Sequence, residues 1–345
     1  MKKRARFRWV LAPVAAFHVL ILCPGFFAPY DYAEQNRELP FAPPTRLHFV
    51  DTLGSWHFRP FVYRWSARED VFAAYAYQED RARSYPLRFF VQGARYRIAG
   101  IIPSSWHLLG ADGEAPVFLF GTDNFGRDQF SRFLYGGRIS LLAGLLAALI
   151  SLTVGGVLGG LSGFYGKWPD SVIMRIAELF LTLPWLYLLF AVRAFLPLAI
   201  SPQQAFLLLV LVIGSIGWAK PARLVRGLVL SVRERPFVLA ARGFGASDIY
   251  LLRRHILPEA YSVLLTQAAI LVPQFILAEV TLSFLGLGVA EPAPSWGNLL
   301  SNLQKVNVLT SYWWMAIPAL ALIPVFLGYH WLAEGLQAKL GVAPL

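Results

Sequence analysis

The chain has 345 residues, 57% of them hydrophobic and only 15% charged, where ordinary soluble domains carry about 25% charged residues. With a mean hydropathy of +0.52, this composition excludes a soluble globular protein and describes an integral membrane chain. The formal net charge of +11 is concentrated in the N-terminal tail and one loop, so it reports membrane topology and argues against nucleic-acid binding.

Lys2, Lys3, Arg4, Arg6 and Arg8 precede an apolar run over residues 9–28, long enough to cross a hydrocarbon core of about 30 Å as a helix of about 20 residues. The basic flank belongs in the cytoplasm. A cleaved signal peptide carries the same marks, but no small-residue cut site follows, which favours a retained anchor. The single cysteine, Cys23, reads as a packed small hydrophobe and excludes an intrachain disulfide or a cysteine-cluster metal site.

Residues 30–137 are polar and mixed, with roughly balanced acids and bases and no run long enough to span. They read as an extracytoplasmic insert. Alternating pieces at 87–92 and 96–99 predict strands, so the insert is expected to be mixed α/β or β-rich. It ends in a dense motif, Asp123, Gly126, Arg127, Asp128 and Arg132, whose alternating acids and bases with glycines predict a tight, salt-bridged turn at the membrane face.

The second span is expected over 139–164, rich in glycines that let helices approach closely. The third, over 174–197, carries Glu178 one turn inside it, and Pro184 is expected to kink it. An intramembrane carboxylate is a functional candidate by default; Glu178 lies close enough to the cytoplasmic boundary to be a structural or coupling contact. The fourth span, over 205–218, returns the chain to the cytoplasm at Lys220.

From 220 to 261 eight basic residues face three acidic ones, which places this loop inside. The fifth span, over 262–289, contains Pro273, and Glu279 lies roughly 25 Å along it at about 1.5 Å per residue. Glu279 either lines a translocation path or pairs with an outer-face arginine such as Arg127 or Arg138. Trp296, Trp313 and Trp314 suit an interfacial belt, and the sixth span covers 312–333. The resulting fold class is an all-α polytopic membrane protein of six transmembrane helices with both termini cytoplasmic. Its divisions are a tail and first helix at 1–29, the insert at 30–137, a five-helix core at 138–333 with a cytoplasmic loop at 219–261, and a tail at 334–345.

Within that loop, residues 236–258 read as two short helices joined at a glycine. Pro236 suits a first turn, and Gly245 the left-handed residue that ends a helix. Ser247 can cap the second helix, and Asp248 favours its N-terminus. Pro258 is expected to limit its length. Ala240 and Ala241 leave the first helix thin on one side, open to a partner.

The sequence Ala240-Ala241, then Gly245, then His255-Ile-Leu-Pro258 resembles the cytoplasmic coupling loop of ABC importer permeases, with Leu239 where that family has a glutamate. The Asp123–Arg132 motif and the later Ser283-Phe-Leu-Gly-Leu-Gly288 and Ser295-Trp-Gly297 stretches are similar to those of the dipeptide, oligopeptide and nickel importers, second membrane subunit, in the subgroup with an enlarged periplasmic loop. The resemblance implies a bacterial inner-membrane subunit whose partners are a second homologous permease, two ABC ATPases, a periplasmic or lipid-anchored substrate-binding protein and the lipid bilayer. ATP and Mg would sit on the ATPase, with no cofactor in this chain. Accordingly there is no Gly-x-x-x-x-Gly-Lys-Ser/Thr phosphate loop and no metal-ligand spacing among the six histidines, so the chain is expected not to be an enzyme in its own right. A gradient-driven secondary transporter is the alternative; it would need midplane ionisable groups and repeat symmetry.

Overall fold

Proline and glycine punctuation divides the first third of the chain. In the computed structural model, residues 2–68, 76–98, 101–111, 115–194 and 201–340 are described, the side chains of 2–10, 192, 193, 339 and 340 excepted. The side chains of the basic tail, the last residue of the 96–99 strand and the end of the 334–345 tail therefore lie outside the described residues. Helix α1 (Lys2–Leu22) is followed by the short α2 (Pro24–Phe27), which starts on Pro24 at a position needing no N–H. Four strands follow, β1 (His48–Val50), β2 (Trp56–Arg68), β3 (Ala76–Ile98) and β4 (Ile102–Ala111), paired antiparallel in sequence order.

The sheet register aligns Val62 with Tyr85 and Phe89 with Leu109. Val62 and Leu87 are buried with Ala115 and Val117, while Trp65 closes a second cluster with Leu39, Ala42 and Phe118. Buried His107 on β4 ties the ribbon back to the end of α2 through a ring-nitrogen contact to the Ala28 carbonyl oxygen (2.6 Å), its other ring nitrogen lying 2.9 Å from the Ala94 carbonyl oxygen of β3.

Beyond the insert the chain is helical. Helix α3 (Gln129–Tyr165) starts ten residues before the expected span because Asp128 caps it, accepting from the Ser131 amide (2.8 Å) and hydroxyl (2.6 Å). The expected kinked third span is instead two helices, α4 (Lys167–Thr182) and α5 (Trp185–Ala194), with a bend of 93° between them. The cause is Pro184, which pushes Leu183 into an extended conformation, φ −75° and ψ 136°. Helices α6 (Pro202–Ile216) and α7 (Ala219–Val232) meet at 41°.

Then come α8 (Pro236–Gly243), α9 (Asp248–Leu251), a π-helical turn at Leu252–Ile256, α10 (Leu257–Phe284), α11 (Trp296–Ser301), α12 (Val306–Ser311) and α13 (Ile317–Leu340). Among the described residues, three helical stretches, Gln129–Tyr165, Asp248–Phe284 and Trp313–Ala338, are long and apolar enough to cross a membrane, or up to five if each bent pair is one span. Leu11–Leu22 is a further, shorter apolar helix among the described residues.

Two compact units emerge. One comprises Met1–Val14, Leu141–Leu282 and Pro324–Leu345, and the other Ala15–Ser140 and Ser283–Ile323. In the first, α3 presents Gly155, Gly159 and Gly163 to α7. A Cβ on each would meet, respectively, the carbonyl oxygens of Trp218 at 2.7 Å, Ala222 at 2.3 Å and Arg226 at 2.8 Å. Both series advance by four residues, so the two helices touch backbone to backbone along one line. A Cβ on Gly144 would likewise press on α10, 2.4 Å from the Ile276 side chain and 3.0 Å from the Val272 carbonyl oxygen.

Gly159→Val is expected to destabilise this unit by about 1–3 kcal/mol through overpacking, read as a lowered thermal midpoint in detergent. Gly160→Ala, whose Cβ would meet only Leu257 at 3.6 Å, should leave the midpoint near that of the parent. Equal effects of the two would exclude the backbone contact as the cause.

Candidate functional site

Two groups of candidate residues occupy different units. In the helical unit, Pro236 occupies the first turn of α8, and Gly245, at φ +87°, ends it. The Gly245 amide donates to the Arg242 carbonyl (3.0 Å) and the Ala246 amide to that of Ala241 (3.1 Å), the pattern of a left-handed helix stop. Ser247 caps α9, accepting from the Tyr250 amide at 3.4 Å, and Asp248 lies in its first turn.

Pro258 does not end the second helix. The π turn spaces its hydrogen bonds so that Pro258, in the opening turn of α10, displaces no needed donor. Asp248–Phe284 therefore runs on as one helical stretch of 37 residues, where a stop was expected.

The underside of this loop is anchored. Val238, Leu251, Ile256 and Ala260 are buried against Val225, Val229, Val232 and Phe164. Arg226 on α7 holds Asp170 on α4 (Nη2 to Oδ2, 2.6 Å), and the Ser162 hydroxyl donates to the same carboxylate. Arg233 donates to the Gly163 carbonyl at 2.9 Å. Sequence reading missed this clamp, since Asp170 and Arg226 are 56 residues apart and neither carries a local signal for the other.

The outer side of the loop is open. Leu239, Ala240 and Gly245 are exposed, Ala241 is half-buried, and His255 lies between the rings of Phe237 and Tyr250 at 5.9 and 5.6 Å. Phe244 is 92% exposed, with Ile249 and Tyr250 also exposed. Elsewhere in this unit, Glu178 lies on the exposed surface of α4 and pairs with Arg175 at 3.5 Å. Glu279 is fully buried on α10.

The second group lies in the sheet-bearing unit. Asp123 accepts at Oδ1 from the amides of Phe125 (2.8 Å) and Arg127 (3.0 Å), and at Oδ2 from Arg127 Nε (2.7 Å). Gly126, at φ +72°, sits so close to the Asn36 carbonyl oxygen that a Cβ would lie 1.7 Å from it, which only glycine allows. The turn delivers Arg127 and Arg132 to a carboxylate that sequence reading did not name, Glu291. Arg127 Nη1 reaches it at 2.7 Å and Arg132 Nη2 at 2.9 Å.

Arg132 is 1% exposed and Glu291 48% exposed in their side chains. Two buried cations thus share one fully buried acid, Asp123, and one acid at the surface. Asp128 lies beside them, and its burial pushes its carboxyl up to about 7 against the lowering effect of the Ser131 hydrogen bonds. No group of His, Cys, Asp and Glu suited to a metal ion occurs among the described residues.

Residues 155–342 match the family described as binding-protein-dependent transport system inner membrane component. Over 219 residues the chain is 38% identical to a putative peptide permease protein of Brucella suis, covering 63% of this chain and 70% of that one. It is 38% identical over 222 residues to the dipeptide transport system permease protein of Bacillus subtilis, covering 64% and 67%. To the oligopeptide transport system permease protein of Haemophilus influenzae it is 36% identical over 241 residues, covering 69% and 74%.

Two substitutions test the charge cluster. Asp123→Asn, which strips the buried counter-charge, should cost about 3 kcal/mol; Glu291→Gln, at a screened surface position, should cost about 1 kcal/mol. Thermal unfolding of both in detergent checks the order, and a reversed order would refute the division of labour between the two acids. Asp128 adds a pH dependence. Its folded-state value lies above the ordinary 3.8, so the stability it contributes is full below the unfolded value and is lost as pH rises through the folded one. Stability relative to Asp128→Asn should therefore fall between about pH 4 and pH 7; a pH-independent difference would refute the shift.

Proposed function

We propose that this chain, which belongs to the family of binding-protein-dependent transport system inner membrane components, is one of two homologous permease subunits of an ABC importer for peptides or similar small solutes. Peptide, dipeptide and oligopeptide transport are named for its relatives, and this supports the substrate class. ATP and Mg act on two separate ATPase subunits, and a periplasmic or lipid-anchored binding protein delivers substrate. The topology that goes with this reading has six spans, both termini cytoplasmic, and the 30–137 insert outside.

The observation that carries the coupling role is the two-sided loop at 236–258, anchored beneath by apolar burial and presenting Phe244, Ile249 and Tyr250 to solvent. Exposed large apolar groups of this kind mark a protein contact. Leu239, where the family has a glutamate, makes that contact apolar.

Movement of the docked ATPases would displace α8 and α9 as a rigid body. Arg226 and Arg233 tie the adjoining α7 to the α3–α4 turn, so the displacement reaches those helices. It also enters α10 directly, because Asp248–Phe284 is a continuous lever, about 55 Å long at 1.5 Å per residue. Glu178, exposed in the isolated chain, is assigned to contacts near the ATPase end, and buried Glu279 to the core of α10.

Phe244→Asp and Gly245→Val should leave membrane insertion intact, since a Cβ at Gly245 meets nothing within 4 Å and the cost is confined to its left-handed backbone. Both should abolish co-purification of the ATPases and ATP-driven uptake. Normal uptake by both variants would overturn the loop's assignment.

A further inference from the structure

The sheet-bearing unit contains three arginines outside the charge cluster around Asp123 and Glu291. The side chains of Arg95 and Arg97 on β3 and of Arg138 on α3 take part in no hydrogen bond or ion pair among the described residues. All three line one cavity of about 250 Å³, together with Asp31, Tyr96 and Tyr135. The sole acid of that lining, Asp31, already accepts the Ala33 amide at 2.8 Å, and the Tyr135 hydroxyl donates to no group among the described residues. The cavity is thus cation-rich and short of acceptors, which is the chemistry of a site for a phosphate.

Its position says which phosphate. Arg138 is the last charged residue before 139–165, a stretch of α3 that carries no charge, so the cavity stands where that helix meets the edge of the bilayer. The β3–β4 ribbon that forms one wall is fastened against α2, directly after the end of α1. The Tyr96 ring covers Gly25 closely enough to exclude a Cβ there, and Phe90 lies 6.2 Å from Phe26.

The same ribbon exposes Phe89, Phe90 and Trp106. Large aromatics facing outward beside unpaired arginines suit a membrane interface, where rings enter the headgroup region and guanidiniums meet phosphates. A pocket for a soluble anion would give these rings no role.

We propose that the cavity between the β3–β4 ribbon and the first turns of α3 binds the headgroup of an anionic phospholipid, with Phe89, Phe90 and Trp106 seated in the same leaflet. The assignment of that leaflet as the outer one rests on the topology proposed above; bilayer contact itself does not. The site would hold the insert against the membrane surface and make its stability depend on lipid charge.

The test uses the full-length chain in nanodiscs of phosphatidylcholine alone or with phosphatidylglycerol, with no transport readout, so its failure is distinct from failure of the importer reading. Phosphatidylglycerol should raise the thermal midpoint of the parent, and the triple variant Arg95→Gln, Arg97→Gln, Arg138→Gln should lose most of that rise. An equal rise in parent and variant, or none in the parent, would overturn the headgroup site. A matching rise from soluble glycerol phosphate in detergent would make it a site for a free anion and sink the lipid assignment. Should the triple variant misfold, quenching by brominated phosphatidylglycerol decides: the parent should lose tryptophan emission that Trp106→Phe no longer loses, and equal quenching in both would exclude bilayer contact at the ribbon.

Discussion

The position of the 236–258 loop depends on a backbone-to-backbone contact. Gly155, Gly159 and Gly163 bring α3 against the carbonyls of Trp218, Ala222 and Arg226. In a membrane, where lipid removes most of the hydrophobic advantage of one helix meeting another, such close approach supplies dispersion that bulky side chains would prevent. That contact places Arg226 and Arg233 within reach of Asp170 and the last carbonyls of α3. The ion pair and the arginine–carbonyl hydrogen bond are therefore a consequence of the glycine line as much as a support for it.

The sheet-bearing unit is organised by a different constraint, the cost of removing charge from water. Arg132 and Asp123 are each 1% exposed in their side chains. Burial on this scale is tolerated only where every charge has a close partner, and the turn around Gly126 supplies the geometry. Glu291 arrives from a loop remote in sequence and completes the cluster, while Trp296 nearby donates from its ring nitrogen to the Phe133 carbonyl at 3.1 Å. The cluster thereby fastens the stretch after α10 to the stretch before α3, both within one unit.

These two constructions serve one transport subunit in different ways. The glycine line and its polar clamp give the helical unit a stiff route from an exposed loop into α4 and α10. The charge cluster and the sheet give the other unit a folded surface of its own, with cations to spare at its edge.

Much of this was legible in the residues alone. Apolar runs identified the membrane class, and Pro236, Gly245 and Ser247 marked the ends of α8 and the start of α9, because each acts through its own backbone or a neighbour within one turn. The Asp123–Arg132 motif announced a charged turn for the same local reason. What could not be read were the partners and the continuities. Glu291 lies 164 residues from Arg127 and carries no signal of its own, and Arg226 is equally silent about Asp170. Pro258 signalled a stop that the π turn made unnecessary, and Pro184 signalled a kink where the chain turns through 93°. Short-range sterics and hydrogen bonding are written in adjacent residues; which distant charges meet, and whether a proline ends a helix or merely opens the next, is decided by packing that forms only when the whole chain is folded.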